Sequence, residues 1–332
     1  MKALRYKTFR QYGGGLVAEF KVLITDDVHE SCAEVLRSKG CHVTVKSSLT
    51  RNELIRAVKE YDAIIIRGRT RFTRDVIMEA QSLKVIGRAG VGLDNVDLEA
   101  ASEKGIRVIA SPQASTVAVA ETTMALILAL ARMIPEANKT LKEGLWLKSK
   151  FMGLELRGKV LGIIGFGRIG KAVAKRALAF DMKAMAYDIR DIREEAESMG
   201  VKVAATLEEL LRESDIITLH VPLNESTRHM IGMREISLMK RGAMIVNTSR
   251  GGIIDTKALL KALKKGKLAG AALDVFENEP PKTEEEWELI RLPNVVVTPH
   301  IASQTWEAQV TAALIIAEEV YRVLRETSST AR

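Results

Sequence analysis

From Lys21 onward, short apolar runs alternate with longer stretches whose apolar positions recur at helical spacing. Lys21-Val22-Leu23-Ile24-Thr25 predicts a strand, and the segment from Glu30 to Lys39, closed by Gly40, predicts a helix. Val43-Thr44-Val45 predicts a short strand and Arg51 to Lys59 a helix. Ala63-Ile64-Ile65-Ile66, Leu83-Lys84-Val85-Ile86 and residues 106–110 predict three more strands. Continuously apolar strands separated by helices read as a parallel sheet with crossover helices. This first stretch is therefore expected to form a flavodoxin-like α/β domain.

An unusually apolar helix pattern follows from Val117 through Leu130 and is expected to end before a loop at Trp146 to Gly158. Helices this apolar are usually buried between domains or subunits. Six strand patterns come next, at 160–164, 183–187, 216–221, 243–247, 270–275 and 295–298, with helices between them, as a doubly wound sheet requires. A last helix pattern runs from Trp306 to Leu324, returning to the first domain.

The start of this second set carries the most specific signal. The strand Val160 to Ile164 enters Gly165-Phe166-Gly167-Arg168-Ile169-Gly170, a helix pattern follows, and the next strand ends at Asp188. Strand, glycine turn, helix, strand and acid is the order that dinucleotide binding needs. Gly165 permits the tight turn, Gly167 lets the backbone approach a pyrophosphate, and Gly170 lets helix and strand pack closely. The helix N-terminus offers N–H groups to the phosphates. Asp188 is placed to accept from the adenosine ribose hydroxyls. An ordinary glycine-rich strand-to-helix turn is the alternative.

The expected fold is α/β, with two Rossmann-like or flavodoxin-like parallel-sheet domains. Residues 118–300 form the dinucleotide-binding domain, inserted into a discontinuous substrate domain of residues 21–117 and 301–332, with residues 1–20 as an N-terminal extension. The 332-residue length suits two domains. No apolar run has the length of a membrane span, and no signal-peptide core follows Met1, so a cytoplasmic protein with no membrane partner is expected. The net charge of +8 comes from 50 basic residues interleaved with 42 acidic ones. With no basic run or aromatic–basic platform, this argues for a mixed surface and an anion-binding site rather than nucleic acid. Cys32 and Cys41 have no metal or disulfide spacing and read as buried thiols, and no metal is expected.

Ligands of doubly wound sheets bind outside the carboxyl ends of the strands. Three late strands there lead into Arg250, Glu279 and His300. Each has an ordinary alternative: a surface cation, a solvated acid, a strand-end histidine. On three strand ends of one cofactor sheet, they form a plausible hydride-transfer set.

With these residues the chain resembles the D-isomer-specific 2-hydroxyacid dehydrogenase family, and within it the branch acting on D-3-phosphoglycerate. The resemblance rests on Gly87-Arg88-Ala89-Gly90-Val91-Gly92-Leu93-Asp94-Asn95-Val96-Asp97, Lys150-Phe151-Met152-Gly153, the glycine motif, Ser249-Arg250-Gly251-Gly252, Ala272-Leu273-Asp274-Val275-Phe276 and Pro299-His300, and runs from about Lys21 to about Leu324. It implies that Arg250 clamps the substrate carboxylate and the oxygen on C2. His300 would exchange the hydroxyl proton as hydride passes between C2 and the nicotinamide, and Glu279 would orient the imidazole and favour its protonated form. Backbone N–H groups of Gly90, Val91 and Gly92 would hold the carboxylate. Asp274 would meet the nicotinamide carboxamide, and Val221, Thr248, Ser249 and Val91, with Arg168 and Ile169 of the motif, would line the cofactor site. Domain closure would exclude water.

The resemblance further implies NAD-dependent oxidation of D-3-phosphoglycerate to 3-phosphohydroxypyruvate, the opening step of serine biosynthesis. Arg67 and Arg88 match arginines at the substrate site of that branch. Arg69 and Arg71 read as surface charges, and Gly68-Arg69 departs from the small residues relatives carry there. Asp188 disfavours the 2′-phosphate of NADP, while nearby Arg190 leaves a minor use open. Reduction of glyoxylate or hydroxypyruvate is the alternative activity, and an NAD-binding co-repressor the alternative class. The partner expected is a small anionic 2-hydroxy or 2-oxo acid, phosphorylated in the first reading. A homodimer, or a dimer of dimers, is expected through the long helix and the Trp146 to Gly153 loop. The sequence closes at Arg332 without an appended serine-binding segment, so feedback through one is not expected.

Overall fold

The computed structural model describes residues 20–329, so the expected extension lies, but for Phe20, outside the described residues. The chain divides into two compact units, Met1–Ser111 with Val310–Arg332, and Pro112–Gln309. The expected boundaries at 117/118 and 300/301 thus move to 111/112 and 309/310. The helix Thr116–Ala131 stays whole within the second unit, and the return crossing falls inside the last helix, Trp306–Ser329.

The first unit holds five parallel strands: β1 (Lys21–Ile24), β2 (His42–Val45), β3 (Ala63–Ile66), β4 (Val85–Arg88) and β5 (Arg107–Ala110). Their spatial order, β2-β1-β3-β4-β5, is that of flavodoxin-like sheets. The central β3, Ala-Ile-Ile-Ile, is wholly buried, as a strand covered by helices on both faces must be. β4 begins at Val85, two residues later than the apolar run suggests, and extends to Arg88, pairing Ile66 with Arg88. Gly87 in β4 has a packing reason: a Cβ there would lie 2.6 Å from Val320 Cγ2 and 3.1 Å from Ile316 Cγ1 of the last helix.

The second unit holds seven parallel strands: β6 (Val160–Ile164), β7 (Lys183–Tyr187), β8 (Lys202–Val203), β9 (Ile216–Leu219), β10 (Ala243–Asn247), β11 (Leu268–Leu273) and β12 (Val295–Val297). They run β8-β7-β6-β9-β10-β11-β12, so the strand order reverses between β6 and β9. That is the switch point where the fold binds ligands. The two-residue β8 was not visible as an apolar run. β9 stops at Leu219, and β11 at Leu273, so His220-Val221 and Asp274-Val275 begin loops instead of finishing strands.

The expected long helix is two helices, Thr116–Ala131 and Ile134–Lys142. Pro135 has no N–H with which to continue the first helix and sits in the first turn of the second, and Met133 between them takes a left-handed conformation at φ 51°. The first helix packs Met124, Ile127 and Leu130 into a core with Leu161, Ile163, Phe166 and Val173 on one face of the sheet. The other face is filled by Ile217, Leu219, Ile245, Ile253, Leu259 and Leu263. Cys32 and Cys41 are both buried, and burial pushes the Cys32 thiol up to about 12.

Candidate active site

The glycine turn after β6 uses its three glycines for three different reasons. Gly165 has φ 92°, and a Cβ on it would lie 2.5 Å from the His220 carbonyl oxygen and 2.8 Å from Val221 Cγ1. It therefore lets the turn lie against the end of β9. A Cβ on Gly170 would overlap the Gly165 carbonyl oxygen, so this glycine lets the helix Arg168–Ala179 sit on the turn. Gly167, the N-cap of that helix, is the exception: no protein atom lies within 4 Å of its would-be Cβ. No protein contact demands a glycine there, and the space is open to a ligand. Arg168 is exposed and Ile169 half-buried, and the first-turn N–H groups have no partner within the helix.

Asp188, one residue past β7, turns its carboxylate back to the turn. Oδ2 accepts from Phe166 N at 2.8 Å, and Oδ1 from Arg190 N at 3.0 Å. The Arg190 guanidinium adds Nε to Oδ1 and Nη2 to Oδ2, each at 3.1 Å. Burial works to raise the Asp188 carboxyl, but the bonds from Arg190 and Phe166 hold it below the usual range. Open space at Gly167, a helix N-terminus at the turn and an anion at the end of β7 fit a dinucleotide.

Arg250, Glu279 and His300 follow β10, β11 and β12, three neighbouring strands. The structure brings the last two into contact: His300 Nδ1 lies 2.6 Å from Glu279 Oε2. Glu279 Oε1 accepts from Phe276 N at 3.2 Å. Burial works to raise the Glu279 carboxyl, but the bond from His300 and the charges of His300 and Arg250 hold it below its usual range. An anionic Glu279 can only accept, so the contact is Nδ1–H donating to Oε2, and Nε2 is the ring nitrogen outside this pair. Arg250 Nη1 donates to the Ser249 carbonyl at 2.7 Å.

Asp274 has a role the sequence did not suggest. It is fully buried, and Oδ1 accepts from Thr298 Oγ1 at 2.5 Å and Ile301 N at 2.8 Å, while Oδ2 accepts from Ala302 N at 2.9 Å. Its carbonyl accepts from His300 N at 2.8 Å. The expected partner was a carboxamide; the partners present are the loop that holds His300 at φ 54°. One lone pair of Oδ2 remains for a further donor. Thr248 Oγ1 lies 2.9 Å from Thr123 Oγ1, tying the β10 loop to the helix Thr116–Ala131, and Ser249 N and Oγ both donate to Asn247 Oδ1.

In the first unit, Arg67 and Arg88 stand at the carboxyl ends of adjacent strands β3 and β4, and both are half-buried. Burial pulls the Arg67 guanidinium down, against the opposing charges of Asp26 and Asp27. Asp26 is buried and gathers the backbone of this loop: Oδ2 accepts from the N–H groups of Arg67, Arg69 and Thr70. Arg69 turns to Asp27 at 2.5 Å and to Ser48 at 3.1 Å. Of the three amides expected to hold a carboxylate, Gly90 N donates to Ser111 Oγ at 2.8 Å, and Val91 beside it is exposed.

Three positioning residues escaped the sequence reading. Asn247 Nδ2 donates to the Arg250 carbonyl at 2.9 Å. Glu286 accepts from the backbone of Asn278, Lys282 and Thr283 and so shapes the loop carrying Glu279. His229 Nε2 lies 2.9 Å from Glu277 Oε2, beside that same loop. Asn247 had a sequence signal as a polar residue closing an apolar strand, and Glu286 as the last residue of a Thr283-x-x-Glu286 capping box.

Residues 124–302 match the family described as D-isomer specific 2-hydroxyacid dehydrogenase, NAD binding domain. The D-3-phosphoglycerate dehydrogenase of Methanocaldococcus jannaschii is 52% identical over 305 residues, 92% of this chain and 57% of that protein. The hydroxypyruvate reductase of Thermotoga maritima is 45% identical over 308 residues, 93% of this chain and 99% of that protein. The chain therefore spans little more than half the length of the phosphoglycerate dehydrogenases it matches. Among solved structures, the D-lactate dehydrogenase of Aquifex aeolicus complexed with NAD and lactic acid aligns with a TM-score of 0.82 at 32% identity, covering 92% of this chain and 96% of that one.

Proposed function

The chain belongs to the D-isomer specific 2-hydroxyacid dehydrogenase family, and from that premise we propose that it oxidises D-3-phosphoglycerate to 3-phosphohydroxypyruvate with NAD. The observation that carries the reaction class is the contact between His300 and an anionic Glu279 on the strand ends of an NAD-binding sheet. The substrate reading is supported by the 52% identity to a phosphoglycerate dehydrogenase and by two arginines, Arg67 and Arg88, at the carboxyl ends of adjacent strands.

Gly165 to Gly170 and Asp188 would hold the cofactor, with Val221, Thr248 and Ser249 along the same edge. Bound there, NAD supplies the acceptor for the hydride from C2. Arg250 holds the substrate carboxylate and the C2 oxygen and stabilises negative charge on that oxygen. His300 Nε2 takes the hydroxyl proton, and Glu279 keeps the ring oriented and balances the charge it gains. In the reverse direction the same Nε2 returns the proton. Arg67 and Arg88 supply cations for a phosphate, Val91 N and Gly92 N for a carboxylate.

A homodimer acting in the cytoplasm at the opening of serine synthesis completes the proposal. Leu141, Trp146 and Met152 support the dimer: they are 57%, 80% and 87% exposed on the second unit, large apolar side chains that a second copy would cover. Hydroxypyruvate reduction is the second reading, favoured by the match over nearly the full length of the Thermotoga enzyme.

The test is NADH formation from D-3-phosphoglycerate at alkaline pH with the product trapped, beside D-glycerate, D-lactate and glycolate. Phosphate-dependent turnover, weakened in Arg67→Ala and Arg88→Ala, supports the first reading. Turnover of the unphosphorylated acids alone moves the protein to the reductase.

A further inference from the structure

The carboxylate of Asp188 is full. Its two oxygens offer about four lone-pair directions, and four donors occupy them. Two are backbone N–H groups, Phe166 and Arg190, fixed by the turn and the strand end. The other two are the parallel N–H groups of the Arg190 guanidinium, Nε on Oδ1 and Nη2 on Oδ2, both at 3.1 Å. A ribose presents the same pattern, two neighbouring hydroxyl donors able to span the two oxygens of one carboxylate. The fork sits in the seats the ribose needs.

We propose that Arg190 is the chain's own competitor for the ribose seat on Asp188, and that its displacement sets how sharply the site separates NAD(H) from NADP(H). This rests on the dinucleotide reading given above. The two partners are unequally anchored: the Asp188 side chain is 10% exposed, that of Arg190 62%. When a ribose arrives, the arginine is therefore the one that moves. Glu195 lies close enough to act on its charge and offers a second anion, shared with Lys171. An exposed ion pair of this kind is worth up to about 1 kcal/mol, so its loss weakens ribose binding by at most roughly fivefold.

The same displacement changes the outcome for a 2′-phosphate. Asp188 repels that group, but a guanidinium swung off the carboxylate stands beside it and can bond it in bidentate fashion. Arg190 thus acts with opposite signs on the two cofactors. It weakens the diol and strengthens the phosphate, so it narrows the preference that Asp188 alone would impose.

The experiment is equilibrium binding of NADH and of NADPH to the full chain, followed by nicotinamide fluorescence, for the wild type, Arg190→Ala and Arg190→Lys. Removing the fork should tighten NADH about threefold and weaken NADPH about tenfold. Lysine keeps the charge without the fork, so it should tighten NADH and hold NADPH near the wild-type affinity. A general loss of local structure would weaken both cofactors together. Unchanged or weaker NADH binding in Arg190→Ala, or unchanged NADPH binding, overturns the proposal while leaving the dinucleotide site intact. Failure of the wild type to bind either cofactor overturns the dinucleotide reading and this proposal with it.

Discussion

His300 Nδ1 meets Glu279 Oε2 at 2.6 Å, although 21 residues and a strand end separate them. The imidazole reaches this position because its backbone is held at φ 54° and its N–H is bonded to the Asp274 carbonyl. With Glu279 accepting, the contact places the proton of the pair on Nδ1 and leaves Nε2 outside it.

That arrangement predicts a separation of turnover from cofactor affinity. His300→Ala should lower kcat by about 10²–10⁴-fold, the range of a lost acid–base group, with NADH binding retained. Glu279→Gln should keep the shape but lose the anion, at a cost of roughly 10²-fold. Steady-state rates beside NADH titrations check both. Normal turnover in His300→Ala would remove it from the proton path.

The glycine turn predicts opposite phenotypes for substitutions at two of its glycines, three residues apart. Gly167→Ala places a methyl where no protein atom lies within 4 Å, at an ordinary φ of −79°. It should fold with near-native stability yet weaken NADH binding by about tenfold or more, because the methyl enters the space left for phosphate. Gly170→Ala drives a Cβ into the Gly165 carbonyl oxygen and should destabilise the fold by about 1–3 kcal/mol. Urea melts and NADH titrations on both proteins separate the two. Equal stability losses would mean that Gly167 serves the fold and not a ligand.

Much of this was legible because burial leaves a plain trace. Ala63-Ile64-Ile65-Ile66 could only be a central strand, and Gly165-Phe166-Gly167-Arg168-Ile169-Gly170 after an apolar run marks the switch point before any coordinates exist. What stayed hidden is carried by side chains bonding distant backbone. Asp274 reaches Ile301 and Ala302, and Asp26 gathers the amides of Arg67, Arg69 and Thr70, across intervals in which no periodicity operates. The break at Met133 was hidden for another reason: the apolar pattern continues into Ile134, and only Pro135 marks the end of the first helix.

Asp274 supplies the third prediction. Asp274→Asn swaps one acceptor oxygen for an NH₂ that must face either Ala302 N or the Thr298 and Ile301 donors, leaving buried donors opposed. A loss of about 1–3 kcal/mol is expected. Because the loop carries His300, kcat should fall further than NADH affinity. An unchanged kcat in a destabilised variant would confine Asp274 to folding.

Glu286 gives a pH-dependent test of the loop that carries Glu279. Its carboxylate is 2% exposed and accepts from the backbone of Asn278, Lys282 and Thr283 and from the Asn278 side chain. Burial opposes the charge, but these bonds hold the carboxyl down at about 2 against an ordinary 4.5. A depressed folded-state pKa means the stabilisation is complete above about pH 4.5 and drains away as pH falls toward the folded value. It amounts to at most about 3 kcal/mol. Glu286→Gln, which cannot ionise, should be less stable than the wild type at neutral pH, with the gap closing as pH falls below about 4.5. Urea denaturation of both proteins across that range reads it directly, and a gap constant with pH would show that shape, not charge, holds the loop.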